Sequence, residues 1–249
     1  MVPDLIFDLG MHDGSDTAYY LAKGFRVIAV EANPQLCTAG EQRFADEIAA
    51  GRLKILNIGV GPERGEFEFY VSPKSDWSSF VKAYAERAGP VEVVRIPCIP
   101  LDELLREQGI PYYLKIDIEG HDRSSLAALA KLEEFPRYVS VEATVGYFHR
   151  TMAPLGYTGF KAINQLHHQQ VTPIYPPIEG RFTDMKITGV MSGAFGDESY
   201  GPWLTFDEFD VEFRRVVEKH YAGSGQQAAG VPEDRFTDGW YDLHAKLGG

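Results

Sequence analysis

Leu5-Ile-Phe-Asp-Leu-Gly-Met-His-Asp-Gly14, followed by Arg26-Val-Ile-Ala-Val-Glu-Ala-Asn33, decides the fold of this chain. It reads as an apolar strand, a glycine turn, a helix over 15–22 and a second strand that ends in an acid. Leu5, Ile6 and Phe7 lack polar alternation, which predicts a strand covered on both faces, as in a parallel sheet flanked by helices. Gly10 and Gly14 bracket the turn, where glycine permits positive φ and lets a ligand lie against bare backbone. Ser15 and Asp16 are read as caps of the helix that follows.

Glu31 ends the second strand. An acid about 20 residues past such a turn is placed to accept hydrogen bonds from both ribose hydroxyls of an adenosine-containing ligand. A dinucleotide would need Gly-x-Gly-x-x-Gly to seat its pyrophosphate on a helix N-terminus, and this chain lacks that spacing. Asp8-x-Gly10-x-x-x-Gly14 instead resembles the pattern of class I S-adenosylmethionine-dependent methyltransferases. Their cofactor carries a sulfonium and an amino-acid tail, so Asp8 is expected to attract its ammonium, directly or through water.

The chain has 249 residues and a formal net charge of -12. That length suffices for one sizeable core, and the expectation is a single domain over 1–249, with 1–145 binding the cofactor and 146–249 a substrate-facing and C-terminal packing segment. The acidic balance opposes a nucleic-acid partner, which needs clustered Lys and Arg. No stretch reads as a membrane span or a signal peptide, so no membrane partner and a cytoplasmic location are expected. Cys37 and Cys98 stand far apart outside any Cys-x-x-Cys pair, and both read as buried hydrophobes rather than disulfide or zinc residues.

Strand and helix alternate further along. A second crossover helix is predicted over 34–50 and a third strand over 53–60. Gly65-Glu-Phe-Glu-Phe-Tyr-Val71 then alternates with period two, the pattern of a half-exposed antiparallel strand, and Val91-Glu-Val-Val-Arg-Ile-Pro97 is its expected partner in an inserted hairpin. The intervening 72–89, with Trp77, Ser78 and Ser79, reads as a loop with a short helix, and 102–108 as a helix.

Tyr112-Tyr-Leu-Lys-Ile-Asp-Ile-Glu-Gly-His-Asp122 is a strand ending in an acidic, glycine-containing turn. A helix over 124–132 and a strand over 136–142 follow. Ligands of doubly wound sheets lie at the carboxyl ends of the strands, and Asp8, Glu31, Asp117 and Glu142 all fall on that edge.

With these residues together, Asp8-Leu-Gly-x-x-x-Gly14, Glu31-Ala-Asn-Pro34, Asn57-Ile-Gly-Val60 and above all Leu114-Lys-Ile-Asp-Ile-Glu-Gly120 resemble the FkbM family of S-adenosylmethionine-dependent methyltransferases over residues 5–142. The resemblance implies an α/β class I methyltransferase (Rossmann-like) fold, a doubly wound and mostly parallel sheet, and O-methylation of a small hydroxylated metabolite or sugar. Asp8, Gly10, His12, Gly14, Glu31, Asn57, Gly59, Ser79 and Asp117 are the cofactor candidates, Glu31 for the ribose and the residues after the third strand for the adenine edge.

The sulfonium is already an activated donor, so the enzyme's task is to align an acceptor and remove its proton. His121 is the candidate base, with Asp117 as the alternative that takes the proton or orients the substrate; His149 is a second histidine candidate. Asp117, Glu119, His121 and Asp122 could group around a cation, but Asp117 and Glu119 alternate at the strand end, and no metal is expected. His167-His168 reads as part of a solvated segment.

In the C-terminal third, 160–165 reads as a sixth strand and 173–180 as a proline-rich loop. Ser192-Gly-Ala-Phe-Gly196 with Gly201-Pro-Trp203 suits a loop over the active site. Thr205 caps a helix to about residue 221 whose Phe206, Phe209 and Phe213 form a core stripe. Residues 223–232 read as a connection, and Trp240-Tyr-Asp-Leu-His244 as a tail that packs back on the domain. Two rivals stay open: an NAD-dependent oxidoreductase, and a methyltransferase-fold module that binds without catalysis. The acceptor and the oligomeric state are not set by the sequence.

Overall fold

β1 (Val2–Leu9) is an interior strand of the main sheet, with neighbours on both sides and apolar clusters on both faces. Leu5, Phe7 and Leu9 enter one cluster and Ile6 the other, which is why this strand does not alternate. The computed structural model describes residues 1–118, 120–142, 148–165, 172–189, 191–222 and 241–248, without the side chains of 216–222. Glu119, His167, His168, the connection at 223–232 and Trp240 therefore lie outside the described residues.

After β1 come α1 (Ser15–Ala22), β2 (Arg26–Val30), α2 (Pro34–Arg43), α3 (Ala45–Ala49), β3 (Leu53–Leu56) and β4 (Gly59–Val60). The single crossover helix expected over 34–50 is two helices. Phe44 leaves helical geometry between them (φ −109°, ψ 27°) and its ring is buried under Gly14. The strand expected over 53–60 is also divided. Residues 53–56 pair with β2, whereas Gly59 and Val60 pair with a separate sheet.

That sheet is the insertion. It contains β4, β5 (Gly65–Val71) and β6 (Glu92–Ile99), with β5 and β6 antiparallel from Gly65↔Cys98 to Val71↔Glu92 as their alternation predicts. Between them lies α4 (Lys82–Ala85). The chain then returns through α5 (Leu101–Gln108), β7 (Pro111–Ile116), α6 (Asp122–Leu129), β8 (Tyr138–Glu142), α7 (Phe148–Met152), β9 (Tyr157–Asn164), α8 (Phe206–Ala222) and β10 (Tyr241–Leu247).

The main sheet runs β3-β2-β1-β7-β8-β10-β9. Among the described residues every pairing in it is parallel except those of β10, which is antiparallel to both β8 and β9. This is the doubly wound, mostly parallel α/β sheet of the class I methyltransferase fold. The described part of the expected tail, 241–244, thus belongs to a strand inside the sheet. On one face Leu104, Leu126, Phe209 and Phe213 cover the strands, and on the other Tyr20, Phe25 and Phe195 do. Among the described residues no helix is long and apolar enough to cross a membrane.

Candidate functional site

β1 and β2 are parallel neighbours, so the turn after β1 and the residues after β2 meet at one edge. Gly10 (φ +82°) and His12 (φ +50°) adopt left-handed backbone there, a conformation that costs a non-glycine residue energy and marks the turn as constrained from outside. The constraint on His12 is Glu31. Glu31 Oε2 accepts the His12 N–H at 2.9 Å, and Oε1 accepts the Asn33 N–H at 2.8 Å. The carboxylate is buried, and burial raises its pKa even against these two donors. Each oxygen retains a further lone pair.

Asn57 Nδ2 donates to Glu31 O (3.0 Å) and Ala32 O (3.1 Å), tying the end of β3 to the same corner. Gly59 serves packing. A Cβ on it would lie 2.3 Å from the Phe80 ring and 2.6 Å from Cys98 Sγ. Ser79 is buried, exchanges backbone hydrogen bonds with Tyr70, and its Oγ accepts the Val81 N–H at 2.9 Å.

Gly10 meets a second demand: a Cβ there would sit 1.8 Å from Asp117 O. The two strand ends are that close because Asp117 N donates to Leu9 O. Gly14 (φ +78°) is the N-cap of α1, and Asp13 Oδ1 accepts Ser15 N at 2.8 Å. Ser15 and Asp16, expected as caps, are not. Asp16 turns inward, and its carboxylate accepts the N–H groups of Ser192 (3.0 Å) and Gly193 (3.4 Å).

Asp16 turns inward because a cation is buried beside it. Lys115 on β7 donates to Gly10 O at 2.9 Å and lies 3.1 Å from Asp8 Oδ1, 3.7 Å from Asp16 Oδ2 and 3.7 Å from Asp117 Oδ2. Burial alone would lower its pKa, but the three carboxylates outweigh burial and hold it well above the usual lysine range. Asp8 is wholly buried, with Thr17 Oγ1 donating to its other oxygen at 2.6 Å. The ammonium expected beside Asp8 is therefore the protein's own, and direct contact between Asp8 and a ligand ammonium gives way to this pair. With three acids around one cation, burial pushes Asp16 up to about 6 while Lys115 pulls against it. Asp117, one-third exposed, is the member of the group that reaches the surface.

The acidic turn is held from within. Asp122 accepts the N–H groups of Ile118 and Gly120, both at 3.1 Å, and burial raises its pKa. His121 stacks on Phe80 (5.3 Å, 18°), and its Nδ1 lies 3.1 Å from Val60 O. A carbonyl only accepts, so Nδ1 carries the proton, and in the neutral ring Nε2 keeps the lone pair a base requires. The 72–89 segment closes over both turns. His12 Nε2 and Ser75 Oγ share a 2.8 Å hydrogen bond, and the Val81 and Tyr84 side chains crowd Gly120. Among the described residues no group of three or more His, Cys, Asp or Glu could hold a metal ion.

Two expectations fall elsewhere. His149 is fully buried among Phe206, Phe209 and Phe213, its Nε2 2.9 Å from Asp210 Oδ1, so it belongs to the core. Ser192 and Gly196 bound a buried segment, with Phe195 stacked on Tyr113 (4.5 Å, 6°), and do not form an open loop over the site. Lys115 and Asp16 were missed as site residues. A lone lysine in a strand as apolar as 112–116 was the available signal, because such a lysine must be paired with acids.

The sequence profile of the methyltransferase FkbM domain matches residues 8–169. No curated protein matches the chain. Among solved structures, the chain is similar to a methyltransferase FkbM from Methylobacillus flagellatus KT (19% identity, TM-score 0.38), covering 62% of this chain and 36% of that one. It thus spans about a third of that protein's length. It is also similar to precorrin-6y C5,15-methyltransferase from Geobacter metallireducens GS-15 (10%, covering 100% and 82%, TM-score 0.41). A third similar structure is an rRNA methylase from Streptococcus thermophilus (10%, covering 98% and 87%, TM-score 0.39).

Proposed function

Because the chain belongs to the methyltransferase FkbM family, we propose that it transfers a methyl group from S-adenosylmethionine to a hydroxyl of a small metabolite or sugar. The observation that carries this reading is Glu31. Its carboxylate stands at the carboxyl end of β2, fixed by the His12 and Asn33 N–H groups beside the glycine turn. Both oxygens keep capacity for a ribose diol. Gly10, His12, Gly14 and Asn57 would line the same corner, with Gly59 and Ser79 supporting it from the inserted sheet. Asp8, Asp16 and Asp117 outnumber Lys115, and this negative balance suits a cofactor that carries a sulfonium and an ammonium.

When bound, S-adenosylmethionine supplies an electrophilic methyl group. The chain's own residues then orient the acceptor and hold or move its proton. Asp117 reaches the surface of the group, and His121 presents Nε2 as a lone pair. We read residues 1–249 as one catalytic unit, 1–145 binding the cofactor and 146–249 facing the acceptor. The net charge of -12 favours a neutral small molecule over a phosphate backbone.

Calorimetric titration with S-adenosylhomocysteine, with NAD as a control, tests the reading. The expected result is micromolar binding of the homocysteine, lost in Glu31→Ala, and none of NAD. Preference for NAD, or binding indifferent to Glu31, overturns it. Label transfer from S-adenosylmethionine to RNA but not to hydroxylated small molecules would replace the acceptor class.

A further inference from the structure

We propose that Asp242 receives the hydroxyl of the methyl acceptor and takes its proton, an inference that rests on the O-methyltransferase reading above. Asp242 stands near the start of β10, in register with Glu142 at the end of β8 and Ile163 on β9. Because β10 runs antiparallel, its first residues lie on the carboxyl edge of the parallel strands, the edge that also carries Glu31 and Asp117. β7 and β10 flank β8, so Asp117 and Asp242 are two strand spacings of about 4.8 Å apart. Residues directly opposed in an antiparallel pair point to the same face, which puts Asp242 beside Glu142.

Asp242 is 2% exposed. Its Oδ1 accepts a 2.5 Å hydrogen bond from Gln165 Nε2, and its Oδ2 has no partner among the described residues. Buried carboxylate oxygens are ordinarily supplied with donors, and an exception calls for a reason. A nearby cation is Lys115, already engaged by Asp8, Asp16 and Asp117. The groups around Asp242 are Glu142 on β8, Lys115 and Asp117 on β7, Asp16 on α1, Gln165 after β9 and His244 further along β10. Burial, reinforced by the charge of Asp117, pushes the carboxyl up to about 7, a proton affinity suited to exchange near neutral pH.

One oxygen anchored by an amide and the other lacking a donor is the arrangement of a positioned base. The missing donor is a hydroxyl. An anionic acceptor would meet Asp117, Glu142 and Asp242 together, and each of these repels it. In the step, the acceptor O–H bond breaks and its proton passes to Oδ2, while the oxygen's electron pair forms the O–CH3 bond. The S–CH3 bond breaks with its pair left on sulfur, so the sulfonium becomes a neutral thioether and the carboxylate a neutral acid.

The test compares the full-length wild type with the isosteric Asp242→Asn variant in three readouts. These are S-adenosylhomocysteine affinity, melting temperature, and transfer of labelled methyl from S-adenosylmethionine to glycerol, methyl α-glucopyranoside and methyl α-rhamnopyranoside between pH 5.5 and 8.5. The expected result is affinity within about two-fold and a melting temperature close to that of the wild type, because the isosteric amide keeps the hydrogen bond from Gln165 and exchanges one unpartnered buried polar atom for another. Transfer falls at least about 100-fold, and wild-type transfer rises through about pH 7. Equal transfer by the two proteins overturns the proposal. So does a variant that melts several degrees lower, which would make Asp242 structural, and so does a wild type that binds S-adenosylhomocysteine but labels none of the three hydroxyl probes. Failure of the wild type to bind S-adenosylhomocysteine removes instead the methyltransferase reading beneath it.

Discussion

Lys115 Nζ lies 3.1 Å from Asp8 Oδ1, and both side chains are buried on adjacent parallel strands. The pair fastens β1 to β7 at the edge where each strand turns toward the site, and the same ammonium donates to Gly10 O. It therefore holds the glycine turn, the acidic turn and, through Asp16, the 192–193 segment at one point. Charges buried this deeply are weak evidence for stability on their own. Their value here is positional.

Lys115→Met removes the cation and leaves Asp8 and Asp16 buried without it. The expected cost is about 3–5 kcal/mol, the range for breaking one side of a buried pair, together with weaker S-adenosylhomocysteine binding. Urea unfolding checks the first and calorimetry the second. Adding Asp8→Leu should restore much of the stability, and a double variant as unstable as the sum of the singles would deny the coupling.

Gly10→Ala places a Cβ 1.8 Å from Asp117 O at φ +82°. Gly51→Ala, at φ +69° with nothing within 4 Å, bears the backbone cost alone, about 1–2 kcal/mol. Gly10→Ala is expected to be clearly the more destabilising in thermal melts and to lower cofactor-product affinity, whereas Gly51→Ala leaves affinity unchanged. Equal losses of stability would mean that β1 and β7 can part without cost.

His149→Ala empties a site walled by Phe206, Phe209 and Phe213 and strips Asp210 of a partner. A loss of about 2–5 kcal/mol is expected from the cavity, with S-adenosylhomocysteine affinity intact. A drop in affinity at unchanged stability would return this histidine to the functional residues.

Asp16 and Asp242 carry folded-state values of about 6 and about 7, raised chiefly by burial from the ordinary 3.8. A raised acid holds its proton more tightly in the folded state, so its stabilising contribution is complete below about pH 4 and is lost as pH climbs through the folded value. Stability should thus decline between pH 4 and 7, by up to about 1.4 kcal/mol per pH unit for each group. Asp242→Asn should flatten the upper part of that decline in denaturant titrations; an unchanged slope would deny the shift.

The parallel core was legible because Leu5-Ile-Phe7 and Val27-Ile-Ala-Val30 are continuous apolar runs, and the inserted pair because Gly65 to Val71 alternates. The placement of Glu31 beside the glycine turn was legible from its distance to that turn. The break at Phe44 was not, since it depends on the ring packing under Gly14, a contact between elements 30 residues apart. The pairing of Lys115 with Asp8 and Asp16 was obscured for a similar reason: periodicity reports which face a residue takes, not which charge waits there. Asp242 lay in a short aromatic-rich stretch that reads as packing, and only the strand order brings it to the carboxyl edge of the parallel strands.

β10 enters between β8 and β9, and among the described strands β9 joins the sheet through β10. During synthesis β8 consequently keeps an open outer edge, and β9 has no partner in the sheet, until residues 241–247 have left the ribosome. The parallel strands can assemble before then, so the nascent chain passes through a stage with the Glu31 corner in place beside a bare strand edge. Such an edge invites pairing with other chains. The vulnerable moment in the life of this protein is therefore the wait for its last described strand.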